Sequence, residues 1–205
     1  NGAVAQVAGR MVQSVVPTAN HVNLACAATE AGATSVTVTL GATAVVANEY
    51  EDGYLWINDA GAATTTEGYL YRIASHPAAD ASATLAVTLY ADNPVHIALT
   101  TASEASLHRN PFRGVLIHDS PPTAQPLGVA PLAVVASEYF WCQTKGPCAV
   151  LTQGTLIVGD TCVPSATVDG AVMPSAAIET DGPPVGNVMS VNANGEESLI
   201  FLLCE

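Results

Sequence analysis

Residues 128–170 read GVAPLAVVASEYFWCQTKGPCAVLTQGTLIVGDTCVPSATVDG, a series of short β-type runs separated by turn residues at nearly even spacing. The apolar run 129–135 is followed by the aromatic-rich run 138–144. Lys145-Gly146 then supplies the residue types of a tight reversal before 148–151 runs back. This predicts a hairpin. Gln153-Gly154 turns the chain into 155–158, and Gly159-Asp160 turns it again before Cys162-Val163-Pro164. The expected product is a meander of strands.

Side chains alternate across a strand, so Tyr139 and Trp141 share one face of the aromatic run and Phe140 takes the other. At least one large ring must then meet a second layer or a partner subunit. Tyr139, Phe140 and Trp141 are therefore the candidate assembly contacts. With Lys145-Gly146 at the tip, Gln143 opposes Cys148 and Cys142 falls one position out of register, which disfavours a Cys142 to Cys148 disulfide.

Upstream, residues 3–16 alternate apolar and polar side chains around Gly9 and read as two short strands, closed by Pro17. Residues 21–28 form a further strand, with Val22, Leu24 and Cys26 on one face and His21, Asn23 and Ala25 on the other. From Gly32 the texture changes. Strict alternation in TSVTVTL (34–40) opens a series of strands at 36–40, 53–57, 68–73, 84–89 and 95–99, with turns or loops at 51–53, 58–61, 76–77 and 91–94. These form an inserted subdomain, 31–112, of small barrel or sandwich type. Its aromatic residues, Tyr50, Tyr54, Trp56, Tyr69, Tyr71 and Tyr90, are read as core, with cross-strand pairing. Residues 102–111 serve as the connection out, and 113–118 is a strand. Residues 121–126, carrying three prolines, make a stiff link.

Downstream, 171–177 is apolar and broken by Pro174, and 181–184 is a loop. Residues 185–191 pair with 198–204 across Asn192-Ala193-Asn194-Gly195. The last strand, SLIFLLC, is nearly all apolar, which predicts burial on both faces. The whole is an all-β chain: a β-barrel or sandwich core of 1–30 plus 113–205, interrupted by the second β subdomain.

Composition narrows the function. The chain has 205 residues, 49% of them hydrophobic, and no apolar run long enough to span a membrane as a helix. It begins at Asn1 with nothing resembling a charged-then-apolar leader, so it reads as a processed or partial chain. Five Lys plus Arg stand against 18 Asp plus Glu, a formal net charge of -13 that repels phosphate and sets the chain against direct nucleic-acid binding. The acidic residues form a solvated surface, or a face that docks on a basic partner. Cys26, Cys142, Cys148, Cys162 and Cys204 follow no zinc-ligand spacing and are read as free thiols in a reducing compartment.

No catalytic motif is present. There is no GxSxG and no HExxH, and His21, His76, His96, His108 and His118 are scattered. Asp52, Asp59, Asp92, Asp160 and Asp169 sit in turns, where Asx-turn chemistry explains them better than bound calcium. No enzyme activity, cofactor or metal is expected.

Several stretches carry a resemblance: AVAQVAGRMVQS, TSVTVTL, NEYEDGYLWIND, EGYLYRIASHP, NPFRGVLI, EYFWCQTKGPCAVL, GTLIVGDTCVPS and VGNVMSV. Together they resemble virion structural proteins of tailed bacteriophages, and in their order small capsid decoration, or cement, proteins. The resemblance implies a binding role on the outside of the icosahedral head, with the major capsid protein as partner, self-association as a trimer, and assembly in the host cytoplasm. It carries over no functional residue, since its motifs are turns and strands. The inserted unit departs from the smallest decoration proteins, which lack one. Another virion part, such as a head-fibre base, a neck or tail component or a host-surface binding module, is the alternative.

Overall fold

The computed structural model describes residues 2–59, 67–175 and 182–204. Parts of the turn expected at 58–61, of the run 171–177 and of the loop at 181–184 lie outside the described residues. The fold is all-β, with one 3-10 turn at Ala19–His21 and no α-helix among the described residues. The chain divides into two compact units, residues 1–16 with 111–205 (the discontinuous unit) and residues 17–110 (the inserted unit).

The inserted unit contains β2 (Leu24–Ala25), β3 (Ser35–Thr39), β4 (Tyr54–Asp59), β5 (Leu70–Ser75), β6 (Thr84–Leu89) and β7 (Glu104–His108); β1 (Arg10–Gln13) belongs to the other unit. Its sheet runs β2-β7-β4-β5-β6-β3, all antiparallel. The two end strands meet where Cys26 bridges Val38 and the Ala27 N–H donates to the Thr37 carbonyl at 2.9 Å, so the sheet nearly closes into a barrel. Closure follows from alternation. Val36 and Val38, Leu55 and Ile57, Tyr71 and Ile73, Leu85 and Val87 turn inward from successive strands and are fully buried, while their neighbours face out.

The strand expected at 84–89 is β6 itself, and β3, β4 and β5 lie within two residues of expectation. Two readings fail. Residues 95–99 form no strand and contribute one isolated bridge, Leu99 to Thr29. The stretch read as an exit connection holds β7, which pairs with β4 and β2 in the sheet interior. Its sequence EASLH lacks β-branched residues, and burial of Ala105, Ser106 and Leu107 overrides that weak propensity. Residues 17–30 also differ from expectation, since Leu24 and Cys26 pack in the core of the inserted unit. Asn23 adopts φ +56 and breaks the alternation expected over 21–28: Val22 is exposed and His21 is buried. Tyr50 and Tyr71 are core, whereas Tyr54 and Trp56 face outward and are half-buried.

The discontinuous unit contains β1 (Arg10–Gln13), β8 (Leu116–Ile117), β9 (Pro126–Ala130), β10 (Lys145–Leu151), β11 (Thr161–Pro164), β12 (Val172–Pro174), β13 (Gly186–Ser190) and β14 (Glu197–Leu203). One sheet runs β8-β1-β9 and the other β10-β14-β13-β11-β12. The closing hairpin is present as β13 and β14, and β11 stands where 162–164 was expected. One strand replaces the two expected over 3–16, with Gly9 at φ +73 in the turn before it.

The Lys145-Gly146 hairpin is absent. Both residues begin β10, whose partner is β14 in a seven-residue register from Lys145 with Leu203 to Leu151 with Glu197. The aromatic run instead lies beside β9, joined by reciprocal 2.9 Å hydrogen bonds between Val129 and Gln143. Residues 155–158 likewise form no strand. The last strand is buried on one face only: Ser198, Ile200 and Leu202 point into the core, and Leu199, Phe201 and Leu203 point out.

Gly128 lets the aromatic run approach. Its φ is +148, and a Cβ there would sit 2.3 Å from the Gln143 carbonyl oxygen and 2.7 Å from the Cys142 sulfur. Gly128→Ala should destabilise the discontinuous unit by about 2 kcal/mol or more. Urea unfolding measures this, and an unchanged midpoint would contradict the close approach.

Candidate functional surfaces

The aromatic run is the most exposed apolar feature of the described chain. Phe140 and Cys142 pack against Val12, Val115, Leu127 and Ala130, while Tyr139 is 100% and Trp141 92% exposed. The expected alternation therefore holds even though only Gln143 makes a strand bridge. The inward pair anchors the segment and leaves the outward pair no intramolecular packing, an arrangement that suits contact with another protein, where Tyr and Trp are enriched.

A second apolar feature lies on the outer face of β14, where Leu199, Phe201 and Leu203 are 39%, 37% and 43% exposed. Pro147 stands opposite Phe201 and Ala149 opposite Leu199, so the face continues onto β10 without a charge until Lys145. A half-solvated antiparallel sheet ordinarily alternates apolar and polar residues; this strand does not.

The ingredients of a Ser/His/Asp triad meet near β8, but not in triad order. The Ser120 hydroxyl donates directly to the Asp169 carboxylate at 2.5 Å, and both groups are on the surface side. His118 is fully buried, and neither ring nitrogen has a hydrogen-bond partner among the described residues. Beside it the Gln13 amide donates to Asp119 at 3.0 Å and to the Thr123 hydroxyl at 2.9 Å, and accepts from the Asp119 N–H at 3.1 Å. A hydroxyl bonded directly to a carboxylate, with no imidazole between them, lacks the Ser-His-Asp order of a triad.

The inserted unit buries a different polar chain. The His21 Nε2–H donates to the Thr43 carbonyl at 3.0 Å, leaving Nδ1 to accept from the Tyr50 hydroxyl at 2.5 Å. The Tyr50 N–H donates to His76 Nε2 at 2.9 Å, and the His76 Nδ1–H donates to the Pro77 carbonyl at 2.8 Å. Each ring nitrogen of His21 and His76 therefore has a hydrogen-bond partner. The turn aspartate Asp52 accepts from the Tyr90 hydroxyl at 2.5 Å and lies 3.7 Å from Arg72. Among the described residues no group of three or more His, Cys, Asp or Glu side chains is placed to hold a metal ion.

None of the five cysteines is in a disulfide. Burial pushes the Cys26 thiol up to about 11, with Glu104 adding to the shift, and pushes Cys142 and Cys162 up to about 12, with the nearby Cys204 thiol contributing to both. Burial also raises Cys148. Thiols that ionise this late are poor nucleophiles.

The three site residues named from sequence thus divide, with Tyr139 and Trp141 outward and Phe140 inward. The outer face of β14 was not anticipated. Its signal was in SLIFLLC, which has the same composition whether one or both faces are covered. The polar clusters could not be found either, since Gln13 and Asp119 are 106 residues apart in the chain. No protein-family model, curated protein or solved structure matches the chain.

Two outcomes follow from the buried groups. With Ellman's reagent at about pH 8, Cys26 and Cys162 should stay unlabelled until denaturant is added; rapid native labelling would contradict their burial. His118 has its pKa lowered by burial, with Asp119 and Asp169 opposing part of the shift. The unfolded chain therefore takes up this proton at a higher pH than the folded one. Stability should be full above the ordinary value of 6.5 and fall as the pH drops below it. Urea midpoints across that range should show a smaller loss in His118→Leu than in the parent chain, and equal losses would assign the acid sensitivity elsewhere.

Proposed function

We propose that the chain is a non-enzymatic structural protein of a bacteriophage virion, a decoration protein that binds the outside of the major capsid lattice and stabilises the head. The observation that carries the proposal is the outward pair Tyr139 and Trp141, held in place by Phe140 and Cys142. Two large rings at full exposure cost solubility and contribute nothing to the core described above. Both fit an anchor on a protein surface. The sequence resemblance supplies the partner, the major capsid protein. The strongly acidic chain favours a basic patch on it.

A cement role also suits the construction of the molecule. Short antiparallel strands with buried, late-ionising thiols make a scaffold whose stability comes from packing rather than from disulfides. Many copies, each held by a modest contact, reinforce a lattice through their number. On this reading the chain acts as a homo-oligomer, a trimer at the symmetry axes of the head.

The direct test adds purified chain to particles that lack it. Because both rings are solvent-exposed, Tyr139→Ser with Trp141→Ser should leave the circular dichroism spectrum and melting temperature unchanged. Binding to the particles should fall at least about tenfold, the factor that corresponds to 1.4 kcal/mol. Unaltered binding would overturn the assignment of these residues as the anchor.

A further inference from the structure

The outer edge of β10 is closed at nearly every position. The Gln143 side-chain amide donates to the Lys145 carbonyl at 3.2 Å and to the Pro147 carbonyl at 2.8 Å. Pro147 has no N–H to offer, and the Leu151 N–H donates to the Gly9 carbonyl at 2.8 Å. These are recognised ways of blunting an edge strand.

One rung stays open. Backbone groups alternate sides along an antiparallel strand, and the Leu151 N–H points away from β14, so the N–H and carbonyl of Ala149 point the same way. The Ala149 N–H has no partner among the described residues, and its carbonyl has only the weak Cys148 thiol at 3.6 Å. Ala149 lines a groove of about 370 Å³ together with Gly9, Pro131, Gln143, Pro147 and Glu197. Glu197 lies across Gly9, where a Cβ would come within 3.2 Å of its side chain. Its carboxylate has neither ion pair nor side-chain hydrogen bond among the described residues.

We propose that this groove accepts an extended, basic segment of a partner protein. One residue of that segment adds a rung to β10 by exchanging hydrogen bonds with the Ala149 backbone, and its Lys or Arg side chain meets Glu197. Strand addition of this kind draws affinity from main-chain bonds and selectivity from the flanking side chains. Here the closed positions on either side fix the register, because only one residue of the edge has both groups to give. The Glu197 carboxylate, the one charged group lining the groove, and the chain's formal charge of -13 select a basic segment. The inference stands apart from the decoration role, because it concerns the isolated chain and a surface other than Tyr139 and Trp141.

The test is a titration of the whole nitrogen-15-labelled chain with the peptide acetyl-Thr-Val-Lys-Val-Thr-amide, followed by NMR. The Ala149 amide should shift saturably. Replacing the peptide lysine by glutamate, N-methylating that residue, or using Glu197→Gln should each weaken binding at least about tenfold, or 1.4 kcal/mol. Ala149→Pro removes the outward N–H, breaks no hydrogen bond to β14, and should abolish the peptide-induced shift of the Gly9 amide that lines the groove. If that variant loses its dispersed spectrum, the N-methylated peptide decides the question. An Ala149 amide that does not move at millimolar peptide would overturn the proposal, as would equal binding of the lysine and glutamate peptides. So would Ala149 shifts that depend on protein concentration without peptide, which would assign the groove to a second copy.

Discussion

The pairing of β10 with β14 is the constraint on which the discontinuous unit depends. Seven residue pairs hold the two strands in one register, and that register decides three things at once. Cys148 and Val150 turn into the core beside Ile200 and Leu202. The alternate residues Leu199, Phe201 and Leu203 are committed to the outer face. The edge of β10 is then presented to Gln143 and Gly9, which close most of it and leave Ala149 open. A slip of β10 by one residue would turn Cys148 and Val150 out of the core.

Much of this architecture is legible in the amino-acid sequence where local chemistry and tertiary pairing agree. Residues 84–89 alternate and form β6, and Asn192-Ala193-Asn194-Gly195 joins the two runs that pair as β13 and β14. Legibility fails where the two disagree. Gly146 has the positive φ expected of a turn, +89, yet it sits in β10 opposite Leu202, because the long-range ladder with β14 outweighs a local reversal. EASLH has little strand propensity and still becomes an interior strand, because neighbours on both sides supply its hydrogen bonds. Conversely, 95–99 looks like a strand and makes only one bridge.

The candidate surfaces were legible in part for a related reason. Alternation over Tyr139, Phe140, Trp141 and Cys142 is a short-range property, so the division into outward and inward rings survives even though the segment is not a regular strand. The exposed apolar face of β14 depends on what lies across it, which composition does not record. The polar networks depend on residues far apart in sequence, as with His21, Tyr50 and His76. In that network every ring nitrogen has a hydrogen-bond partner, and elsewhere burial raises the Cys142 and Cys162 thiols to about 12.

In the decoration role proposed above, the rings of Tyr139 and Trp141 hold the chain against a capsid lattice from outside. Electron cryomicroscopy of particles that carry the chain tests it most directly. Density for the chain is expected in hundreds of copies on the outer head surface, with Tyr139 and Trp141 facing the major capsid protein. Density confined to the neck, tail or fibres in a few copies, or head density with both rings facing solvent, would contradict it.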